Sequence, residues 1–72
     1  MTETTPISVR INGDDREIPR GLSVRGLLEW LDLNPAIVVV ELNREILDRN
    51  AYGATYVAAD DALELVHFVG GG

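Results

Sequence analysis

The groups best suited to chemistry in this chain lie at its carboxyl end, which reads "HFVGGG" over residues 67–72. Three glycines there separate an apolar run from the final carboxylate. Gly72 has no side chain beside the carboxylate carbon, and Gly70 and Gly71 allow the backbone to enter a narrow channel. Such a terminus suits activation of the carboxylate as an acyl donor. Taken alone, however, the glycines favour a simpler interpretation, a frayed chain end.

Two residue types that would react with an activated acyl group are missing from the sequence. It contains no cysteine, and all six basic residues are arginine. A thiolate or an amine close to an activated carboxylate would be acylated by it. A general bias of composition toward arginine is nevertheless the favoured explanation. The single histidine, His67, cannot form a metal site alone, because a structural zinc site takes about four ligands.

Length and charge restrict the classes of protein to which the chain can belong. Its 72 residues suffice for one small domain, and with 46% apolar residues that domain must be stabilised by packing. The net charge of −6 argues against nucleic acid as a partner, because phosphate binding depends on basic patches. No segment approaches the roughly 18 apolar residues of a membrane span, and "MTETTP" lacks the apolar core of a secretory signal. We therefore expect a disordered lead over residues 1–6, no membrane association and a cytoplasmic location.

The first part of the chain predicts a hairpin followed by a helix. Apolar and polar residues alternate from Ile7 to Ile11, as in a half-buried strand. Asn12-Gly13 is a hairpin turn signal, and "DREIP" is predicted to return as a short second strand, which Pro19 limits to the edge of a sheet or to the end of the strand. Behind Ser23, a good N-cap, the apolar residues of "SVRGLLEWL" recur at helical spacing. Asn34-Pro35 is predicted to end this helix.

The second part predicts three further strands. The β-branched run "IVVVELN" is typical of a strand covered on much of both faces. Ile46-Leu47 is predicted to form a very short strand, and "LELVHFV" is predicted to form the last one. Tyr52, Tyr56 and Val57 are expected to anchor the intervening loop in the core. The order strand, strand, helix, strand, short strand, strand predicts an α+β fold, with one helix packed on a mixed sheet.

Short motifs along the chain resemble those of one family of proteins. They are Ile11-Asn12-Gly13 and Glu17 in the hairpin; Gly21, Ser23, Val24, Leu27 and Leu28 at the helix entry; "VVVELNREI" in the third strand; and Asp61, Leu63, "VHFV" and Gly71-Gly72 at the end. At this spacing, over residues 7–72, the sequence resembles the ThiS family of sulfur carriers, which have a ubiquitin-like β-grasp fold of ββαββ(β) order. The resemblance implies a β-grasp domain over residues 7–69 and a flexible glycine tail over residues 70–72.

The terminal carboxylate is the working group of this family, and the resemblance assigns that role to Gly72. A ThiF-like E1 adenylating partner would transfer AMP from ATP to the carboxylate. Sulfur from a desulfurase system would then displace AMP and leave a thiocarboxylate. The thiazole synthase ThiG would accept this sulfur for the thiazole ring of thiamin, and Gly70 and Gly71 would be recognised as the tail enters each partner. The carrier is then no enzyme and binds no cofactor permanently, since its partner uses the ATP.

A docking surface is expected beside the tail. Successive side chains of a strand point to opposite faces, so Leu63 and Leu65 face one way and Val66 and Phe68 face the other. If the leucines pack under the helix, Val66 and Phe68 are exposed, and an exposed apolar patch marks an interaction surface. The alternative is that the fold covers both pairs.

Three acidic residues, Glu64, Asp60 and Asp61, are expected to rim this docking surface, where their charge would affect the rate and specificity of association. A solvated turn is the equally weighted alternative. Two other functions stay open as well. One is a related carrier for molybdopterin or cysteine synthesis, with the same tail chemistry. The other is a β-grasp interaction module without covalent chemistry.

Overall fold

The computed structural model describes residues 5–67; residues 1–4 and 68–72 lie outside the described part. The predicted order of elements is confirmed, with two short 3-10 turns in addition at Pro35–Ile37 and Arg49–Ala51. The elements are β1 (Ile7–Ile11), β2 (Asp14–Ile18), α1 (Val24–Trp30), β3 (Val38–Leu42), β4 (Glu45–Ile46) and β5 (Ala62–His67).

The five strands form one mixed sheet in the order β2-β1-β5-β3-β4. β1 and β5 run parallel, whereas the β1–β2, β3–β4 and β3–β5 pairs are antiparallel. The α+β prediction is therefore confirmed. The last strand, β5, lies at the centre of the sheet, between β1 and β3.

The first hairpin forms as its sequence predicts. The alternation in β1 places Ile7, Val9 and Ile11 in the core, each at most 6% exposed. Asn12 and Gly13 both have left-handed backbone conformations, with φ of 52° and 88°. This is the geometry of a type I′ turn, which matches the twist of a two-strand hairpin. β2 is an edge strand, as predicted, and it ends before Pro19.

The helix begins where the sequence predicts. The Ser23 side chain accepts a hydrogen bond from the Gly26 amide at 3.0 Å, which caps the helix. Val24, Leu27 and Leu28 of the apolar stripe are fully buried. At Gly26 an added Cβ would come within 3.3 Å of the Ser23 hydroxyl. The absence of a side chain at this position therefore leaves space for the Ser23 hydroxyl that caps the helix.

The predicted end of the helix is wrong by one turn. α1 ends at Trp30, because Asp32 adopts a left-handed conformation with φ of 65°. The Asp32 amide then donates to the carbonyl of Glu29 and the Leu33 amide to that of Leu28, at 2.9 and 2.8 Å, which is a Schellman motif. Asn34 caps the following 3-10 turn instead, accepting from the Ala36 amide.

The long loop after β4 is anchored by two of the three predicted residues. Tyr52 and Val57 are 3% and 6% exposed. Tyr56 is 65% exposed, so the prediction that it anchors the loop in the core is wrong. The reason is that Tyr56 forms an isolated β-bridge with Ser23, so the chain is extended there. Neighbouring side chains of an extended segment point to opposite sides, and burial of Val57 therefore leaves Tyr56 exposed. The Tyr52 hydroxyl donates to the carbonyl of Val38 at 2.8 Å and accepts from the Val40 amide at 3.1 Å, fastening the loop to β3.

Candidate functional site at the end of the last strand

The end of β5 is held mainly from one side. β1 pairs with β5 at Ala62 and Leu63, whereas β3 pairs with it from Leu63 to His67. On the β1 side, the turn residue Asn12 continues the contact: its amide donates to the carbonyl of Leu63 at 2.9 Å. Its side-chain oxygen accepts from the Leu65 amide at 2.7 Å. Asn12 therefore both forms the hairpin turn and fixes the strand that leads into the tail.

The two faces of β5 differ as predicted. Leu63 is 1% exposed and Leu65 is half-buried, both on the helix side, while Val66 on the opposite face is 58% exposed. The expectation that one apolar pair leaves the helix-covered face is thus confirmed for Val66. Phe68 lies outside the described residues, and so do Gly70, Gly71 and Gly72.

The exposed face of the sheet carries a mixed apolar and charged surface around Val66, which we call the outer-face patch. It comprises Val39, Glu41, Arg44, Ile46, Ala62, Glu64 and Val66. Ile46 is 75% exposed. Apolar side chains of this size on one sheet face, uncovered by the fold, are what an interaction surface requires.

Asp60 and Asp61 do not line this patch; they come just before β5, at the end of the strand farthest from the tail. Six residues of strand, roughly 20 Å, separate Asp61 from His67. The Asp61 carboxylate accepts from the Asn43 side chain at 3.1 Å and from the Ala58 amide at 2.8 Å. Asp60 has φ of 71°, and its amide donates to the carbonyl of Ser8. Of the three predicted rim residues, the fold therefore brings Glu64 alone next to Val66, and the two aspartates shape a turn.

A groove on the helix side also reaches the end of β5. It is lined by Leu31, Leu33 and Leu65, with Arg16 and His67 at its polar rim. His67 stands on the exposed end of this face. Within residues 5–67 there is no group of three or more His, Cys, Asp or Glu side chains placed to hold a metal ion. Nor does that part of the chain contain a helix long and apolar enough to cross a membrane.

A sequence model of the ThiS family matches residues 9–72, from the middle of β1 through the three terminal glycines. The chain belongs to the ThiS family. The match covers the β-grasp domain from residue 9 onward and includes Gly70, Gly71 and Gly72, so the predicted family and fold are both confirmed.

Individual proteins give the same result. The sulfur carrier protein ThiS of Bacillus subtilis is 35% identical over 65 residues, which are 89% of this chain and 98% of that protein. The crystal structure of the thiamine biosynthesis protein ThiS from Geobacter metallireducens superimposes with a TM-score of 0.78 at 38% identity, covering 92% of this chain and 100% of that one.

One similar protein is much longer. A thiazole synthase of Magnetococcus marinus is 38% identical over 66 residues, which are 92% of this chain. The chain spans 20% of the length of that protein, about a fifth, so the remainder of the thiazole synthase has no counterpart here.

Proposed function

We propose that this ThiS family member is the sulfur carrier for the thiazole ring of thiamin and that its covalent site is the carboxylate of Gly72. The observation that carries the proposal is the family match, which extends from residue 9 in the β-grasp core to the final glycine at residue 72. The central position of β5 supports it. The end of β5 is paired with β3 on one side and hydrogen-bonded to Asn12 on the other, so the residue from which the tail extends is held in place.

The chemistry begins from a poor acyl donor. In the first step the Gly72 carboxylate oxygen attacks the α-phosphorus of ATP, and pyrophosphate leaves. The acyl adenylate now has AMP as its leaving group. A sulfide equivalent from a desulfurase system attacks the acyl carbon and displaces AMP, which leaves a thiocarboxylate. Because glycine has no Cβ, no side chain obstructs either attack. Since ATP is the co-substrate, we place this activation in the cytoplasm.

The partner of the first step is a ThiF-type E1 adenylating enzyme. We propose that it binds the outer-face patch, with Val66 as an apolar contact and Glu64 at its rim. Phe68 is predicted from the strand alternation to join them. The patch lies beside the end of β5, so an enzyme seated on it would find the tail within reach. Catalytic groups are supplied by the enzyme, and the carrier supplies the reacting carboxylate and its delivery.

The acceptor is a thiazole synthase of the ThiG type. In the Magnetococcus marinus thiazole synthase, a region similar to this chain accounts for part of the polypeptide. A second thiazole synthase, from Paramagnetospirillum magneticum, is 39% identical over 62 residues, 19% of its length. The joining of a carrier-like region to a thiazole synthase in one chain supports this enzyme as the acceptor, in preference to one of molybdopterin or cysteine synthesis.

Intact-mass spectrometry tests the covalent step. The purified chain is incubated with ATP, a ThiF-type enzyme and a sulfur source, and we expect one oxygen to be replaced by one sulfur. The matched controls are a chain that lacks Gly72 and a chain with one extra residue after it, both with the β-grasp core unchanged. Conversion of the extended chain would contradict the assignment of Gly72, and absence of any conversion of the wild type would favour a non-covalent interaction module.

A further inference from the structure

The outer-face patch contains two carboxylates that face each other. In the β3–β5 register Glu41 is directly opposite Glu64. Directly opposed side chains on one face of an antiparallel pair have their Cβ atoms about 4.5–5.5 Å apart, and like charges there are destabilising. Glu64 is exposed and Glu41 is half-buried. The salt bridges formed within residues 5–67 join Arg10 to Asp15 and Arg25 to Glu29. Arg44 also lines the patch, but it forms a salt bridge with neither glutamate, so the patch carries two carboxylates and one guanidinium.

Apolar side chains adjoin the two carboxylates. Val39 lies directly opposite Val66 in the same register, two residues closer to the tail on β5. Ile46 pairs with Glu41 on the other side. The patch is thus ordered along the strand: an apolar pair next to the end of β5, then a pair of negative charges. A ligand that matches both rows needs a cationic head and an apolar stem.

We propose that this surface binds an arginine side chain of the activating enzyme, with its guanidinium between Glu41 and Glu64 and its methylene stem over Val39 and Val66. This inference rests on the function proposed above. A planar guanidinium offers several N–H donors, so it can serve two carboxylates at once, and its stem packs on apolar surface while the charge stays at the rim. The two carboxylates repel each other in the free carrier, but both attract a guanidinium placed between them.

A second copy of the chain is a poorer occupant of the same surface. In a two-fold dimer the same patch faces itself, which would bring four glutamates and only two copies of Arg44 together on proteins that each carry a net charge of −6. Charge complementarity therefore favours a basic partner over self-association.

Calorimetric titration of a purified ThiF-type enzyme with the full chain tests the inference. The variants are Glu41→Gln, Glu64→Gln and the double variant. The control is Glu17→Gln, which removes the same charge from an exposed position on the edge strand β2 of the same sheet. We expect the double variant to bind about tenfold more weakly, equal to about 1.4 kcal/mol. Higher salt should weaken binding of the wild type more than that of the double variant. The control should bind like the wild type.

Stability separates a binding effect from a folding effect. Because the neutral pair relieves repulsion, the urea midpoint of the double variant should equal or exceed that of the wild type. Unchanged affinity of the double variant, or an equal loss in Glu17→Gln, would overturn the inference. So would a dimer formed by the wild type and lost in the double variant. Conversion of the wild type to the thiocarboxylate is measured in the same preparations, so failure of the arginine site is distinguished from failure of the carrier function.

Discussion

Replacing Asn12 by glycine should loosen the strand that leads into the tail. The Asn12 side-chain oxygen accepts from the Leu65 amide at 2.7 Å, and this bond holds β5 beyond the last residue paired with β1. Glycine keeps the left-handed backbone conformation that the turn requires but removes the acceptor. A hydrogen bond of this kind contributes about 0.5–1.5 kcal/mol. In a domain whose core supplies only about 3–5 kcal/mol of net stability, the loss should be clear in a urea titration.

Two further variants divide this effect into its parts. Asn12→Ala loses the same hydrogen bond and, unlike glycine, keeps a β-carbon in the left-handed region without the side-chain amide that lets asparagine tolerate it, so it should be about 1–2 kcal/mol less stable than Asn12→Gly. Asn12→Asp keeps an acceptor oxygen and should be close to the wild type. Hydrogen exchange gives the local measurement: in Asn12→Gly the Leu65 amide should exchange faster relative to the Val40 amide, which is buried and bonded to the Tyr52 hydroxyl. Equal protection of Leu65 in wild type and Asn12→Gly would refute the anchoring role.

Three other substitutions test the fold and the patch. Tyr52→Phe removes the buried partner of the Val40 amide and leaves the Val38 carbonyl with the Arg49 guanidinium as a donor at 3.3 Å. It should cost about 1–3 kcal/mol of unfolding free energy, and an unchanged urea midpoint would contradict this. Asp32→Gly removes the strain of a left-handed non-glycine residue at the end of α1 and should raise stability by about 0.5 kcal/mol, while a fall would argue against the Schellman end. Val66→Ser should change stability by less than about 0.5 kcal/mol but should slow adenylation by a ThiF-type enzyme. Adenylation kinetics equal to those of the wild type would remove Val66 from the docking surface.

The sequence alone was sufficient for the elements whose side chains alternate or recur regularly. The alternation from Ile7 to Ile11 and the Asn12-Gly13 turn predict the first hairpin because both are local properties. The same holds for the helix start at Ser23. The helix end was missed because its geometry depends on Asp32, a residue type that tolerates the left-handed region but does not require it.

Features that depend on contacts between distant segments could not be predicted. The bond from Asn12 to the Leu65 amide joins residues 53 positions apart. The opposition of Glu41 and Glu64 depends on the register between β3 and β5, which no local pattern specifies. For the same reason the sequence places Asp60 and Asp61 at the docking surface beside the tail, although the full length of β5 separates them from the end of that strand. The sequence identifies Asn12 as a turn residue, but its bond to Leu65 carries no local signal.

The central claim is that the Gly72 carboxylate delivers sulfur to a thiazole synthase, and transfer of labelled sulfur tests it most directly. The chain is first loaded with radioactive sulfur by a ThiF-type enzyme, ATP and a desulfurase, then purified and mixed with a ThiG-type thiazole synthase and its other substrates. We expect the label to leave the carrier and to appear in the thiazole product. The account would be contradicted if the loaded carrier kept its label in the presence of the thiazole synthase but released it to a molybdopterin or cysteine synthase in a parallel mixture.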